Sequence, residues 1–327
     1  MKKESLIFLI FTALSVLISY SCQGPEKKQN GSLPETAGGW IKYEKNPVLG
    51  GDLGTIFDVS LLHEGPGDFQ MYCSWRPRRS IALSTSRDGL LWSKPAVCLS
   101  FNDSSGWERD VNRPVVLFLN GKYHMWYTGE NDSASAIGYA VSDDGRQFRR
   151  VSPLPVMVAD RPWEKKALMC PHVIWDDQLK LYRMWYSGGE QYEPDAIGYA
   201  TSPDGIHWDK YPANPVFRAD SSRQWEQAKV TACQVIRRRD DYLMFYIGFK
   251  NTDFAQIGMA RSKDGITQWE RYAANAIIRP GMGWDWSADY KPFAVMDGEK
   301  WLLYYNGRKN NMEQIGIALH QGPDLGF

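Results

Sequence analysis

The stretch from Met184 to Trp208 reads MWYSGGEQYEPDAIGYATSPDGIHW, and its reading decides the fold. Met184-Trp185-Tyr186 is an apolar, aromatic run of strand type, Ser187 to Asp195 is a polar loop, and Ala196 to Thr201 is a second strand. Pro203-Asp204-Gly205 follows and leads on to Trp208. Asp-Gly between two β-rich runs signals a tight hairpin turn, because glycine takes the positive φ that the turn requires. The segment therefore reads as strand, loop, strand, turn, strand.

The phrase recurs along the chain. Met71-Tyr72-Cys73 leads to Ile81-Ala82 and Asp88-Gly89, and Met125-Trp126-Tyr127 leads to Ile137-Gly138-Tyr139 and Asp144-Gly145. Met244-Phe245-Tyr246 leads to Ile257-Gly258 and Asp264-Gly265, and Leu303-Tyr304-Tyr305 leads to Ile315-Gly316. The Asp-Gly pairs are spaced 56, 60 and 60 residues apart, a fixed period that signals an array of supersecondary units. Each unit has room for four strands, the pattern of a propeller blade. An apolar run precedes each phrase, beginning at Phe57, Val111, Met169, Thr231 and Tyr290. Five such runs predict five blades, each with its innermost strand lining a central channel. The fold expected is all-β: a five-bladed β-propeller of four-stranded antiparallel blades.

Ring closure is legible too. The outer strand after Asp204-Gly205 reads Trp208 to Val216, and the fifth unit ends without its counterpart. Residues Trp40 to Val48 match that strand at Trp, Lys, Tyr, Asn, Pro and Val. The N-terminal segment should therefore supply the fourth strand of the last blade and leave no open seam.

Lys2 and Lys3 precede an apolar run from Leu6 to Ile18, too short to span a bilayer and typical of a signal peptide. It ends Ser19-Tyr20-Ser21-Cys22, which resembles a bacterial lipobox. The expectation is a lipoprotein signal peptide over 1–22 with lipidation at Cys22, a flexible tether over 23–39 and a propeller catalytic domain over 40–327. This describes an exported bacterial lipoprotein, periplasmic or associated with the outer membrane. Net charge is zero, which argues against nucleic acid, and membrane contact is expected only through the lipid anchor. A monomer is expected. Cys73, Cys98, Cys170 and Cys233 form no CxxC pair, so they read as buried thiols and not as a zinc site.

In antiparallel blades the long loops between second and third strands share one face with the starts of the inner strands. That face is where chemistry is expected. Aligned by register, the first channel-mouth position is Asp58, Asn112, Cys170, Ala232 and Lys291. Asp58 interrupts an apolar strand, where an unpaired carboxylate is costly. Asp110 lies two residues before Asn112, with Arg113 just after it, and His172 lies two after Cys170. A second repeat, Trp107-Glu108, Trp163-Glu164, Trp225-Glu226 and Trp284-Asp285, precedes the inner strands. Repetition points to blade-to-blade packing, with one or two members recruited as an acid. Glu190 sits in a loop with Glu193 and Asp195. Trp75, Tyr192, Trp284 and Trp286 are candidates to stack on sugar rings, and Arg76, Arg78, Arg79 and Arg308 to bind anionic groups.

With these features the chain resembles the five-bladed β-propeller glycoside hydrolases, the group of families 43, 32, 62, 68, 117 and 130. The resemblance covers about residues 40 to 327 and rests on the MWYSGG…IGYATSPDG phrase and on Asp58. It implies an Asp on the first inner strand as base or nucleophile, which Asp58 matches. It also implies a middle-blade Asp and an acidic Glu, and Cys170 and Ala232 stand at those positions. Asp110, Glu190 and Glu226 are the candidates to fill the gaps. The resulting expectation is an exo-acting, inverting glycoside hydrolase of oligo- or polysaccharides, with Trp75, Arg76, Asn112, Arg113, His172, Lys291 and Arg308 binding substrate. A glycoside phosphorylase, using Arg113, Lys291 and Arg308 for phosphate, and a non-catalytic glycan-binding lipoprotein are the alternatives. No cofactor is required. The resemblance allows a Ca²⁺ ion in the central channel, although no ligand set in the sequence demands one.

Overall fold

The computed structural model describes residues 34–191 and 194–327. The signal segment, Cys22, residues 23–33, Tyr192 and Glu193 lie outside the described residues. Nearly every element is a strand, and the strands form five antiparallel meanders. Blade 1 comprises Ile56–Gly65, Asp68–Trp75, Ser80–Ser86 and Ala96–Ser100. Blade 2 comprises Asp110–Leu119, Lys122–Glu130, Ser135–Ser142 and Arg149–Arg150. Blade 3 runs through Ala167–Asp176, Leu181–Gly189, Pro194–Ser202 and Asp209–Lys210. Blade 4 follows with Lys229–Arg237, Tyr242–Phe249, Ala255–Ser262 and Glu270–Arg271. Blade 5 has Ala288–Asp297, Lys300–Lys309 and Met312–Gln321.

The fourth strand of blade 5 is Ile41–Lys42, paired antiparallel as Ile41 with Leu319 and Lys42 with Ala318. Lys210 faces Ala200 and Arg271 faces Ala260 in the same register, so the wording shared with Trp208 to Val216 reflects one geometry. Asn46 closes it. Its amide donates to the Ile317 carbonyl at 2.9 Å and accepts from the Ile317 N–H at 2.9 Å, as Asn214 does with Tyr199 and Asn275 with Met259. The expected tether ends earlier than residue 39. Ala37 donates to the Ile277 carbonyl at 3.0 Å and Thr36 bridges Ile278, so residues 34–39 already lie on the ring.

Apolar cores fill the gaps between neighbouring blades. Tyr72 and Ile81 meet Val116 and Met125 between blades 1 and 2, and Trp126 meets Met184 between blades 2 and 3. Trp185 meets Met244 between blades 3 and 4, Phe245 meets Leu303 between blades 4 and 5, and Met71 meets Leu302 between blades 5 and 1. Burying these faces is the main favourable term in folding.

Each letter of the phrase Met184-Trp185-Tyr186-Ser187-Gly188 has a job. The Trp185 indole donates to the carbonyl of Gly265, at the turn of the next blade, at 2.8 Å. Trp126 does the same to Gly205, Tyr72 to Gly145 and Tyr304 to Gly89. Phe245 has no donor, and blade 5 has no Asp-Gly turn to receive one. The Tyr186 hydroxyl donates to Glu164 at 2.7 Å. A Cβ at Gly188 would sit 2.6 Å from the Trp163 ring, so only glycine lets that indole pack on the strand.

Candidate active site at the channel mouth

Each inner strand carries a bulge near its start, and its key residue takes a positive φ: Asp58 (54°), Arg113 (53°), Cys170 (51°), Ala232 (36°) and Lys291 (54°). Bulges re-aim side chains and recur next to active sites. The bulge of blade 2 therefore falls on Arg113 and not on Asn112, one residue later than the aligned register. Proline follows the bulge residue at Pro114, Pro171 and Pro292, a signal in the sequence that sets this register. The bulge N–H donates to a side chain of the preceding blade: Asp58 to Asn306 at 2.9 Å, Arg113 to Ser74 at 2.8 Å, Cys170 to Thr128 at 3.1 Å and Ala232 to Ser187 at 2.8 Å. Ile247 occupies the fifth such position and cannot accept, so no peg of this kind forms under Lys291.

Four of the bulge residues, Asp58, Arg113, Cys170 and Ala232, line a cavity of about 270 Å³ on the face of the long loops. Its polar side comes from blades 5, 1 and 2, as Glu313, Asp58 and Glu130. Its apolar side comes from blades 3 and 4, including Cys170, Ala232, Ile247 and Phe249. Arg113 binds two of the carboxylates, with Nε 3.5 Å from Asp58 Oδ2 and Nη1 3.3 Å from Glu130 Oε2. Burial works against its charge, but Glu130 and Asp58 outweigh burial and raise its pKa further. Asn112 stands behind this pair, donating to Glu130 at 2.8 Å and accepting from Arg113 at 2.6 Å. Asn306 donates to Asp58 Oδ1 at 3.2 Å, while Asp58 Oδ2 is buried with no hydrogen-bond donor among the described residues. Glu313 accepts from the Tyr290 hydroxyl and pairs with Arg76 at 3.2 Å. Burial, reinforced by Glu313, holds the Tyr290 phenol well above its ordinary range.

The other expected residues fall in several places. Arg76 lines the cavity, its guanidinium 4.6 Å from the centre of the Phe57 ring. Arg308 also lines it and donates to the Asp253 carbonyl at 2.7 Å. Lys291 is buried beside it, and among the described residues its amine has no hydrogen bond or ion pair. Its charge opposes the upward push of burial on the Cys170 thiol, as does that of Arg113. Trp75 is buried and donates to the Leu53 carbonyl at 2.9 Å, so it forms a wall and not an open platform.

Three expected residues are corrected outright. Glu226 is fully buried at a blade corner, accepting from Tyr246 at 2.9 Å and pairing with Arg271 at 2.6 Å. Its repeats do the same: Glu108 takes Tyr127 and Arg150, and Glu164 takes Tyr186 and Lys210. These carboxylates tie strands within one blade, not blade to blade. Glu190 is exposed on the rim and pairs with Lys165 at 3.2 Å. His172 lies among Trp185 and Phe293, its Nε2 2.9 Å from the Val235 carbonyl. Burial lowers its pKa to about 4, so it is a neutral core residue. Asp110 stands outside the main cavity, in a second one beside it, paired with Arg79 at 3.3 Å.

Glu130, Glu313 and Tyr290 were not singled out by the sequence. Glu130 occupies the strand-end position held by Arg76, Phe249 and Arg308 in other blades, so the repeat register carried the signal. Among the described residues no group of three or more His, Cys, Asp or Glu is placed to hold a metal ion. At the mouth the Arg113 guanidinium already occupies Asp58 and Glu130, a set that does not fit a Ca²⁺ ion, which takes six to eight oxygens.

A propeller with a carboxylate-lined mouth of this kind is the architecture of glycan-cleaving enzymes. The family model for glycosyl hydrolases family 43 matches residues 44–321, and the chain belongs to that family, a family of glycosidases. It is 30% identical over 209 residues to the uncharacterized protein MT1551 of Mycobacterium tuberculosis (strain CDC 1551 / Oshkosh), a match over 60% of this chain that spans 66% of the length of that relative. It is 23% identical to the beta-1,2-mannobiose phosphorylase of Thermoanaerobacter sp. (strain X514), over 68% of this chain and 93% of that protein. The crystal structure of a thermostable family-43 glycoside hydrolase superposes with a TM-score of 0.65 at 20% identity, covering 83% of this chain and 91% of that one.

Proposed function

We propose that the protein is an exo-acting glycoside hydrolase that removes a terminal sugar with inversion. The observation that carries this reading is a cavity bordered by three carboxylates, one of which, Asp58, keeps a buried oxygen without a hydrogen-bond donor among the described residues. Asp58 takes the proton of the attacking water. Glu313 protonates the leaving oxygen, and it is chosen because its counter-ion, Arg76, is the most exposed of the set, with 57% of its side chain open to solvent. Glu130 and Asn112 hold Arg113 against Asp58 and so position the base. A cavity of about 270 Å³ lies at the small end of ligand sites, roughly 300–1,000 Å³, and suits one sugar ring at a chain end. The test is the anomer first released from an oligosaccharide, followed by NMR. Inversion with loss of turnover in Asp58→Asn and Glu313→Gln supports the reading, and retention overturns the assigned roles.

A phosphorylase is the second reading, favoured by Lys291, which has no counter-ion among the described residues, and by the mannobiose phosphorylase relative. Inorganic phosphate decides between them: sugar 1-phosphate in place of free sugar replaces hydrolysis. Export and anchoring are part of the proposal through Cys22. A Cys22→Ala protein that still partitions with membranes removes that part.

A further inference from the structure

The cavity beside the cleavage pocket measures about 360 Å³ and lies between blades 1 and 2. It shares Phe57, Arg76 and Glu130 with the cleavage pocket, so the two adjoin. Ser80 lines it, 1% exposed, with its hydroxyl buried and without a hydrogen-bond partner among the described residues. A buried hydroxyl in that state asks for a partner, and a cavity of this size can supply one. Asp110 and Arg79 face the same space, giving acceptors and donors side by side.

The charges decide the class of ligand. Arg79 is matched by Asp103 and Asp110, Arg109 by Asp132, and Arg76 by Glu313. Each guanidinium already has a carboxylate, so an acidic or sulfated sugar would have to displace one. A neutral sugar, whose hydroxyls both donate and accept, fits the alternation without displacing anything.

We infer that this cavity is the subsite for the leaving-group sugar, that it takes a neutral ring, and that Ser80, Arg79 and Asp110 bind its hydroxyls. The inference rests on the exo-hydrolase reading only for which end of the glycan enters it. The substrate then passes Phe57 from the cleavage pocket toward the space between blades 1 and 2.

Calorimetry on the full chain carrying Asp58→Asn tests it, with β-1,2-mannobiose, xylobiose, cellobiose, lactose and the monosaccharide of each as probes. The expected result is at least one disaccharide binding about tenfold tighter than its terminal monosaccharide, the worth of one or two hydrogen bonds. Ser80→Ala and Arg79→Ala, each added to Asp58→Asn, should bring that ratio down toward one. Ser80→Ala is small enough to leave the fold intact, and melting curves check Arg79→Ala. No disaccharide binding tighter than its monosaccharide overturns the inference, and so does a ratio that neither variant changes. Turnover by the unmodified protein on the same panel is scored separately, so loss of the hydrolase reading and loss of the subsite are distinct results.

Discussion

Two sets of buried carboxylates stand in this ring, and they differ in what surrounds them. At the blade corners Glu108, Glu164 and Glu226 each meet one tyrosine hydroxyl and a cation from the fourth strand of their own blade, and Asp285 meets Lys42. At the mouth no two carboxylates have the same partners: Asp58 has Asn306 and Arg113, Glu130 has Asn112 and Arg113, and Glu313 has Tyr290 and Arg76. Four blades repeat the corner arrangement because it answers a structural need that each of those blades has. The mouth breaks the repeat, and an exception inside a repeat is where selection for something other than folding shows.

Substitutions sharpen this contrast. Asp58→Asn should have the largest effect, a loss of roughly 10²–10⁴ in turnover on a glycan that the unmodified protein cleaves, with the melting temperature little changed. Initial rates beside a thermal melt measure both, and a variant of full activity moves the base elsewhere. Lys42→Ala should do the reverse. It leaves Asp285 buried without its cation at the ring closure, and removing one partner of a buried ion pair costs about 3–5 kcal/mol. Chemical denaturation reads that cost. Glu226→Gln keeps an acceptor for Tyr246 but loses the charge facing Arg271, at a cost of roughly 1–3 kcal/mol. Its turnover at temperatures below the melt should stay within about twofold of the parent. A collapse in rate without a collapse in stability would return Glu226 to the catalytic set.

The smallest effect is a slope against pH. Burial holds the Asp289 carboxyl well above its ordinary range, Lys42 pulls it back in part, and Asp285 pushes it up again. A raised carboxyl keeps its proton in the folded chain while the unfolded chain releases it. Its share of stability is therefore present at about pH 4 and is lost as pH rises toward neutrality. Asp289→Asn removes that loss, so its melting temperature should gain on the parent more at pH 8 than at pH 4. An equal difference at both values contradicts the assignment.

These outcomes bear on how much the sequence could tell. Blade number, strand order and ring closure were legible because Trp40 to Val48 repeats a strand whose Asn, Lys and partner Ala make the same bonds in each copy. Asp58 was legible as an acid in an apolar strand. Glu226 misled, because a carboxylate before an inner strand looks alike whether it ends in a pocket or against Tyr246 and Arg271. Asn112 was one residue off because a bulge inserts a residue that strict alternation does not count. Glu130 and Glu313 sit at strand ends, where composition is that of any polar loop. Only the third dimension brings blades 5, 1 and 2 around one cavity.

The closing strand also has a consequence in time. Asn46 reaches Ile317 across 271 positions of chain, and Lys42 reaches Asp285 across 243. Contacts so distant in sequence are entropically slow to form, so four blades can assemble locally while the last edge waits for its partner. During synthesis residues 41–46 leave the ribosome long before the strand Met312–Gln321 exists, and until then they have no partner strand and stay open to other chains. A circular permutant that carries residues 34–50 after Phe327 would turn this longest-range pairing into a neighbouring hairpin, with the mouth untouched. The arrangement that leaves the finished ring without an edge is thus the one that keeps an edge exposed for longest while the ring is being made.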